Sequence, residues 1–306
     1  MFAALALVAP VRRAVVRERI GWLSEELWRW AEVSGVRVQR QLVERLAAVV
    51  AATAVDLGRE RLGLLARYAL WTVLLDDRLD RPGAGLDTLH GLPALISAVV
   101  CGDRPAPAGA EEALIDDDRL LGDLLEELLV EFRACADGTE TLARLTDALR
   151  DAVCAGVEHA VLGREVWLGG AQQPSTADYL ALASRDVNYR SFAYSLALLC
   201  GERLDGTVLL RIDGALAPAS RAVRLANDLR SVGRDRAARR LNVLMLRADD
   251  GGAVRVAGVR REISDQVRRH DQLLREIPGA DASVCVAALR NSLRVAVGFY
   301  RVADLR

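Results

Sequence analysis

The chain has 306 residues, of which 52% are apolar and 27% are charged, and its formal net charge at pH 7 is -1. This composition predicts a globular protein with a sizeable core, and the absence of a strong charge bias argues against nucleic acid as a partner. The five cysteines are widely spread without a CxxC pair, which favours free thiols and a cytoplasmic location. No window offers the roughly 18 apolar residues of a membrane-spanning helix, so no integral membrane segment is expected.

Apolar residues recur at intervals of three and four along nearly the whole chain, whereas alternating β-branched runs are hard to find. This pattern predicts helix almost everywhere. Short breaks rich in Pro and Gly separate the helices, and none resembles a domain linker. We therefore expect one all-α domain over residues 1–306, built as an antiparallel helical bundle. The predicted helices are 11–33, 38–57, 59–80, 85–100, 111–136, 139–168, 175–201, 206–216, 218–247, 254–276 and 281–304.

The first acidic cluster closes the predicted helix 59–80, where residues 76–80 read Asp-Asp-Arg-Leu-Asp. Residues four apart on a helix are separated by roughly 40° around the axis and about 6 Å along it, so Asp76 and Asp80 face the same way. The break that follows at 81–83 places these carboxylates at one end of the bundle. A solvated helix end is the alternative interpretation.

The second cluster consists of Asn227, Ser231 and Asp235, which repeat the same spacing over about two turns of the predicted helix 218–247. Asn and Ser are indifferent helix formers, and Gly233 costs about 1 kcal/mol relative to alanine, so helix propensity is low at this point. Such local conflicts are typical of functional sites. An ordinary polar helix face is the alternative for this cluster alone.

The two clusters together suggest a site for Mg²⁺ and a diphosphate. Mg²⁺ prefers oxygen ligands and is commonly held by one or two carboxylates together with substrate phosphates. Two clusters that face each other across a bundle could therefore bind one diphosphate from both sides.

The paired motifs resemble those of class I terpene synthases (terpene cyclases), especially the compact bacterial single-domain type. Asp76-Asp77-x-x-Asp80 is similar to the aspartate-rich motif of that family, and Asn227 to Asp235 is similar to its Asn/Ser/Glu motif, with aspartate in place of the usual glutamate. The resemblance implies the isoprenoid synthase fold around a deep apolar cavity, and possible homodimers. It also implies that three Mg²⁺ ions bind at Asp76, Asp77, Asp80, Asn227, Ser231 and Asp235.

The resemblance implies further diphosphate contacts. The family carries an arginine diphosphate sensor some forty-odd residues before the second motif, which matches Arg185 here, with Arg190 as a substitute. Asn188 and Tyr189 would then relay the movement of the sensor to the substrate. Arg234 falls where the family places a basic diphosphate contact.

Near the C-terminus the family usually has an Arg-Tyr pair, whereas this chain reads Tyr300-Arg301. Either residue could donate to a diphosphate oxygen. Adjacent helical side chains point about 100° apart, so both are not expected to do so.

Members of the family line their cavity with aromatic faces, which stabilise cations. Only 5% of this chain is aromatic, which suggests a roomy cavity. It gives a slight preference for a C20 substrate, geranylgeranyl diphosphate or a bicyclic C20 diphosphate, over C15 farnesyl diphosphate. The aromatic residues expected at the cavity are Trp71, Tyr189, Phe192 and Phe299, together with Trp167 and Tyr194.

The function that the resemblance implies is Mg²⁺-dependent ionisation of an all-trans prenyl diphosphate, followed by carbocation cyclisation to a terpene. A chain-elongating prenyl diphosphate synthase or a head-to-head coupling enzyme would normally have two aspartate-rich motifs, so the Asn/Ser/Asp spacing disfavours both. The non-enzymatic alternative is a helical interaction protein with incidental acidic clusters. The segment Asp249–Gly252 is expected to be either a mobile flap or a plain surface turn.

Overall fold

The computed structural model describes residues 8, 10–81, 86–102, 116–136, 139–248 and 251–302. Within these ranges there are eleven α-helices and no β-strand, so the predicted all-α fold is confirmed. Every helix in this part of the chain is too short or too polar to cross a membrane. The helices are α1 (Arg13–Val33), α2 (Arg40–Thr53), α3 (Arg59–Leu79), α4 (Leu86–Cys101), α5 (Asp116–Cys135), α6 (Thr139–Leu168), α7 (Thr176–Asp186), α8 (Tyr189–Cys200), α9 (Gly206–Ala237), α10 (Val256–Arg275) and α11 (Val284–Val302).

Helix α8 lies at the centre of the bundle, where it contacts α3, α5, α6, α9 and α11. All of its residues from Ala193 to Leu199 are buried. A helix that is buried around its whole circumference is apolar on more than one face, as the sequence pattern of this segment indicates. The neighbours of α8 carry the two motifs, α3 the first and α9 the second.

The single predicted helix 175–201 is wrong, because the structure has two helices there, α7 and α8, separated by a short break. α7 ends at Asp186, and Asn188 has a left-handed backbone with φ 56° and ψ 15°. Asparagine is one of the few residues that adopt this conformation readily. The break brings Val187 and Asn188 to the wall of an internal pocket between α3 and α9.

Helix α9 runs through Pro218 without interruption, whereas two separate helices, 206–216 and 218–247, are predicted from the sequence. Proline lacks a backbone N–H and usually breaks or kinks a helix. Pro218 is buried here, and α9 packs against α7, α8, α10 and α11, so tertiary packing outweighs the local preference. The helix ends at Ala237 rather than at 247, and the following loop folds back on α9 through the 3₁₀ turn Val243–Met245.

Asp249 and Asp250, within the predicted flap or turn, lie outside the described residues. The residues on either side of them are paired, because the Ala248 backbone N–H donates to the Gly252 carbonyl at 2.7 Å. Arg247 and Ala253 form an antiparallel bridge next to this bond.

Candidate active site

The end of α3 brings Asp76 and Asp80 into one pocket, which we call the charged pocket. Arg78, between them, is 3% exposed and donates two hydrogen bonds to Asp118 on α5, at 2.7 and 3.0 Å. This buried ion pair fixes the rotation of the helix end. Asp77 is exposed and is not part of the lining of the charged pocket. The structure therefore places Asp76 and Asp80, and not Asp77, on the charged pocket.

Asp80 is paired with Arg240 from the loop after α9. One guanidinium nitrogen of Arg240 donates to the Asp80 carboxylate, and the other donates to the Asp80 backbone carbonyl at 2.7 Å. Both side chains are 25% exposed, so the pair lies at the mouth of the pocket. The two residues are 160 positions apart, and no sequence signal pointed to this contact.

Asn227, Ser231 and Asp235 line another wall of the charged pocket. The Ser231 hydroxyl donates to Asp235 Oδ2 at 2.5 Å. The side-chain amide of Asn242 donates to the same oxygen at 2.8 Å and to the Asp228 carbonyl at 2.9 Å. This wall is therefore held in place by its own hydrogen bonds. Asn242 lies in the loop after α9, and its role could not be read from the motif spacing.

Asp228, the neighbour of Asn227, points into the core and has no exposed surface. It accepts a hydrogen bond from the Tyr179 hydroxyl at 2.8 Å and another from the Val243 backbone N–H at 3.1 Å. It also forms an ion pair with Arg224 at 2.9 Å. These contacts tie α9 to α7 and to the following loop, which sets the face that Asn227 presents to the pocket.

Arg224 is the most buried arginine that lines the charged pocket. Its guanidinium donates to the Tyr179 hydroxyl at 2.7 and 3.1 Å and lies 3.5 Å from Asp186. Burial lowers the pKa of Arg224, but the nearby Asp228, Tyr179 and Asp186 outweigh this effect and raise it well above its ordinary value. The sequence analysis did not identify Arg224, although it precedes Asn227 by about one helical turn and so shares its helix face.

The two predicted diphosphate sensors lie away from the charged pocket. Arg185 donates to Asp151 at 2.6 and 3.0 Å and is 40% exposed. Arg190 donates to Asp213 at 2.5 Å. Successive helical residues point about 100° apart, and it is Asp186 rather than Arg185 that lines the pocket. Both arginines are therefore paired with carboxylates outside the lining of the charged pocket.

His159 on α6 and Asp186 complete the wall beside Arg224. His159 Nδ1 and Asp186 Oδ2 are 2.7 Å apart, and their side chains are 12% and 11% exposed. Gly156, one turn before His159, provides the necessary space. A Cβ atom at Gly156 would lie 2.6 Å from Leu79 Cδ1 and 3.0 Å from Asp186 Oδ1. No metal-ligand spacing in the sequence pointed to His159.

The lining of the charged pocket contains six arginines and four aspartates. An excess of guanidinium groups suits a polyanion, which they bind with paired hydrogen bonds. Arg234, the basic residue singled out in the sequence, is among them. The arginines are Arg81, Arg164, Arg224, Arg234, Arg239 and Arg240.

Two further pockets adjoin the charged pocket in turn through shared lining residues. The volumes are about 110 Å³ for the charged pocket and about 120 Å³ for each of the others, which we call the middle and the apolar pocket. The charged and middle pockets share Asp76, Leu79, Asp186, Arg224 and Asn227. The middle and apolar pockets share Thr72, Val73, Val187, Asn188 and Tyr300. The three pockets therefore form one series from charged to apolar surroundings.

Four aromatic residues line the apolar pocket. They are Tyr189, Phe192, Phe299 and Tyr300. Arg301 is exposed and is not part of the lining of these pockets. Of the Tyr300-Arg301 pair, only the tyrosine therefore lines these pockets.

Three other aromatic residues expected at the cavity lie elsewhere. Trp71 is completely buried, and its indole N–H donates to the Leu121 carbonyl of α5 at 2.9 Å, so its ring faces α5 instead of the pockets. Tyr194 is also fully buried in the core. Trp167 is 43% exposed near the end of α6.

The oxygen atoms of the two motifs fit Mg²⁺ in chemical type. In the described ranges, no group of three or more His, Cys, Asp and Glu side chains could hold a metal ion alone. The charged pocket instead offers carboxylate, amide and hydroxyl oxygens on separate walls. Mg²⁺ is usually held in this way, by few side chains together with phosphate oxygens and water.

A family model described as terpene synthase family 2, C-terminal metal binding, matches residues 67–255, which include both motifs. No curated protein sequence gives a significant match. Solved structures with the same fold include linalool/nerolidol synthase from Streptomyces clavuligerus in complex with 2-fluorogeranyl diphosphate. It is 18% identical, with 97% of this chain and 96% of that one covered and a TM-score of 0.71.

Two further structures share the fold. One is 2-methylisoborneol synthase from Streptomyces coelicolor A3(2) in complex with Mg²⁺ and 2-fluoroneryl diphosphate. It is 16% identical, with 96% and 91% of the two chains covered and a TM-score of 0.67. The other is abietadiene synthase from Abies grandis. It is 15% identical, with 94% of this chain and 38% of that one covered and a TM-score of 0.69.

Proposed function

The chain belongs to terpene synthase family 2 and is a class I terpene cyclase, and we propose that it ionises an all-trans prenyl diphosphate and cyclises the resulting carbocation. The observation that best supports this proposal is the series of charged, middle and apolar pockets, in which neighbouring pockets share lining residues. A molecule with a polyanionic head and a hydrocarbon tail matches that series from end to end.

We assign metal binding to Asp76 and Asp80 on α3 and to Asn227, Ser231 and Asp235 on α9, with three Mg²⁺ ions in all. Mg²⁺, when bound, neutralises the charge that develops on the departing diphosphate. Ser231 and Asn242 both donate to Oδ2 of Asp235. We therefore assign the metal to the other carboxylate oxygen, Oδ1.

Arg224 takes the role of diphosphate contact that the sequence assigned to Arg185. It is held by Tyr179, Asp186 and Asp228 before substrate arrives, so little reorganisation is needed when charge develops on the leaving group. Arg234 contributes a second guanidinium from the same pocket. Both donors favour departure of the diphosphate by stabilising its negative charge.

The apolar pocket accommodates the hydrocarbon chain. The faces of Tyr189, Phe192 and Phe299 stabilise positive charge on the folded chain, and the apolar walls exclude bulk water. Four aromatic residues line this pocket, so the low aromatic content of the whole chain is no reason to expect a roomy cavity. Farnesyl (C15) and geranylgeranyl (C20) diphosphate are therefore both candidate substrates.

Incubation with C10, C15 and C20 prenyl diphosphates and Mg²⁺, followed by gas chromatography with mass spectrometry, tests the proposal. We expect cyclic terpenes and diphosphate release from at least one substrate. A chain-elongating enzyme would instead consume isopentenyl diphosphate and form a longer prenyl diphosphate. A helical interaction protein would show no turnover and no rise in Tm with diphosphate and Mg²⁺, and that result would contradict the proposal.

A further inference from the structure

The apolar pocket contains a pair of buried hydroxyl groups on facing helices. Tyr189 Oη on α8 and Ser292 Oγ on α11 are 2.6 Å apart, and the residues are 5% and 2% exposed. Most of the other lining residues are aliphatic or aromatic. Polar groups placed among apolar walls need a specific partner to offset the loss of hydration.

The hydroxyl pair has hydrogen-bonding capacity beyond its mutual bond. Each hydroxyl has one proton and two lone pairs, and only one proton can lie between the two oxygens. Among the described residues, neither hydroxyl makes a second hydrogen bond. The pair therefore still offers one donor and several acceptor positions. Thr72, by contrast, donates its hydroxyl proton to the Ala69 carbonyl at 2.8 Å.

Asn188 adds a second polar group to the same pocket. Its Oδ1 accepts from the Ser191 hydroxyl, but its Nδ2 is buried and has no hydrogen-bond partner among the described residues. The residue also has the left-handed backbone of the α7–α8 break. A buried donor without a partner is costly and is rare unless a ligand or an ordered water completes it.

We propose that Asn188, Tyr189 and Ser292 hold one water molecule beside the hydrocarbon chain, and that the cyclase therefore forms a terpene alcohol. This inference rests on the proposed function. A buried water usually makes about three hydrogen bonds to otherwise unsatisfied polar groups, and the amide donor with the two hydroxyls can supply them. The apolar walls exclude bulk water and leave this one nucleophile in contact with the carbocation.

The reaction balances without any additional reagent. A lone pair of the water oxygen forms the new C–O bond and neutralises the carbon centre, which gives a protonated alcohol. One proton of that group then passes to an oxygen of the diphosphate released from the same substrate. Asn188 and Tyr300 line both the apolar and the middle pocket, so the water lies towards the side on which the diphosphate departs.

Turnover in water enriched in ¹⁸O tests the inference on the unmodified protein. The substrate is the prenyl diphosphate that the chain converts, and the products are separated by gas chromatography with mass spectrometry. We expect a cyclic alcohol two mass units heavier than in ordinary water. Hydrocarbon products alone, with normal diphosphate release, would overturn this inference and leave the proposed function intact. No turnover of any prenyl diphosphate would overturn both.

Substitution of the hydroxyl pair tests the assignment to these residues. Ser292→Ala and Tyr189→Phe each remove one hydrogen-bonding group, so we expect the ratio of alcohol to hydrocarbon to fall about tenfold. Ser195→Ala removes a buried hydroxyl of α8 that donates to the Phe192 carbonyl at 2.7 Å and does not line the apolar pocket, so the ratio should not change. An unchanged ratio in folded Ser292→Ala and Tyr189→Phe, with the melting temperature as the check, would overturn the assignment.

Discussion

The two motifs line the same pocket but are held in different ways. On α9, Ser231 and Asp235 are 3% and 5% exposed and are hydrogen-bonded to each other and to Asn242. On α3, Asp76 is exposed, and Asp80 at the pocket mouth is paired with Arg240. The α9 wall is therefore preorganised for a ligand. On the α3 wall, Asp80 must give up its contact with Arg240 before it can bind a metal ion. We therefore expect the α3 wall to move when ligands bind.

The sharpest test of the α3 wall compares adjacent aspartates. Asp76→Ala should lower kcat/KM by about 10³-fold, because it removes a metal ligand and with it electrostatic stabilisation of the leaving group. Asp77→Ala should change it by no more than about twofold, because Asp77 is exposed outside the pocket lining. Circular dichroism should show unchanged helix content in both variants. Equal losses would mean that both aspartates bind the metal.

The next largest effect separates Arg224 from Arg185. Arg224→Gln should lower kcat/KM by about 10²-fold, as expected when one preorganised donor to the leaving group is lost. Arg185→Gln should stay within about twofold of the parent, because Arg185 is bound to Asp151 away from the pocket. The reverse order of effects would restore Arg185 as the sensor.

Arg224→Gln also leaves the Asp228 carboxylate buried without its ion pair, which costs about 3–5 kcal/mol of stability. The double variant Arg224→Gln/Asp228→Asn removes both charges and should recover part of that loss in urea unfolding. Its activity should remain low. Recovery of activity along with stability would show that Arg224 has only a structural role.

The sequence identified the residues whose position depends on local helical spacing. Asp76, Asp80, Asn227, Ser231 and Asp235 lie on the pocket because four-residue steps return to one helix face. The partners Asn242 and Arg240 lie in the loop after α9, and their contacts depend on how that loop folds back. No periodicity in the sequence encodes such a contact.

Two other differences between the predicted and the observed structure also arise from tertiary packing. Trp71 lies on a helix that is buried over most of its surface, so its apolar pattern does not indicate which face meets the cavity. The predicted gap between helices 206–216 and 218–247 is absent, because the buried Pro218 is accommodated in the middle of α9 despite the usual preference of proline. Tertiary packing decided both cases.

The preorganisation of the α9 wall can be weakened at Asn242. Asn242→Ala removes the amide that donates to Asp235 and to the Asp228 carbonyl, so activity should fall about 10- to 100-fold, as is typical for residues that orient metal ligands. Asn291→Ala is the matched control. Asn291 donates to the Ala52 and Thr53 carbonyls at 2.7 Å, so its loss should lower Tm while activity stays within about twofold. Equal activities in the two variants would argue against preorganisation.

The smallest expected effect concerns the ion pair between Asp80 and Arg240 at the mouth of the charged pocket. Arg240→Gln removes the guanidinium that competes with metal for Asp80, so the Mg²⁺ concentration for half-maximal activity should fall. The side chains are 25% exposed, and partly exposed ion pairs contribute about 0.2–1 kcal/mol, which corresponds to a shift of up to about fivefold. Arg236→Gln removes an equal charge from exposed α9 surface outside the charged pocket and should leave the Mg²⁺ dependence unchanged. A raised Mg²⁺ requirement in Arg240→Gln would mean that Arg240 orients Asp80 for the metal, and the α3 wall would then be as preorganised as the α9 wall.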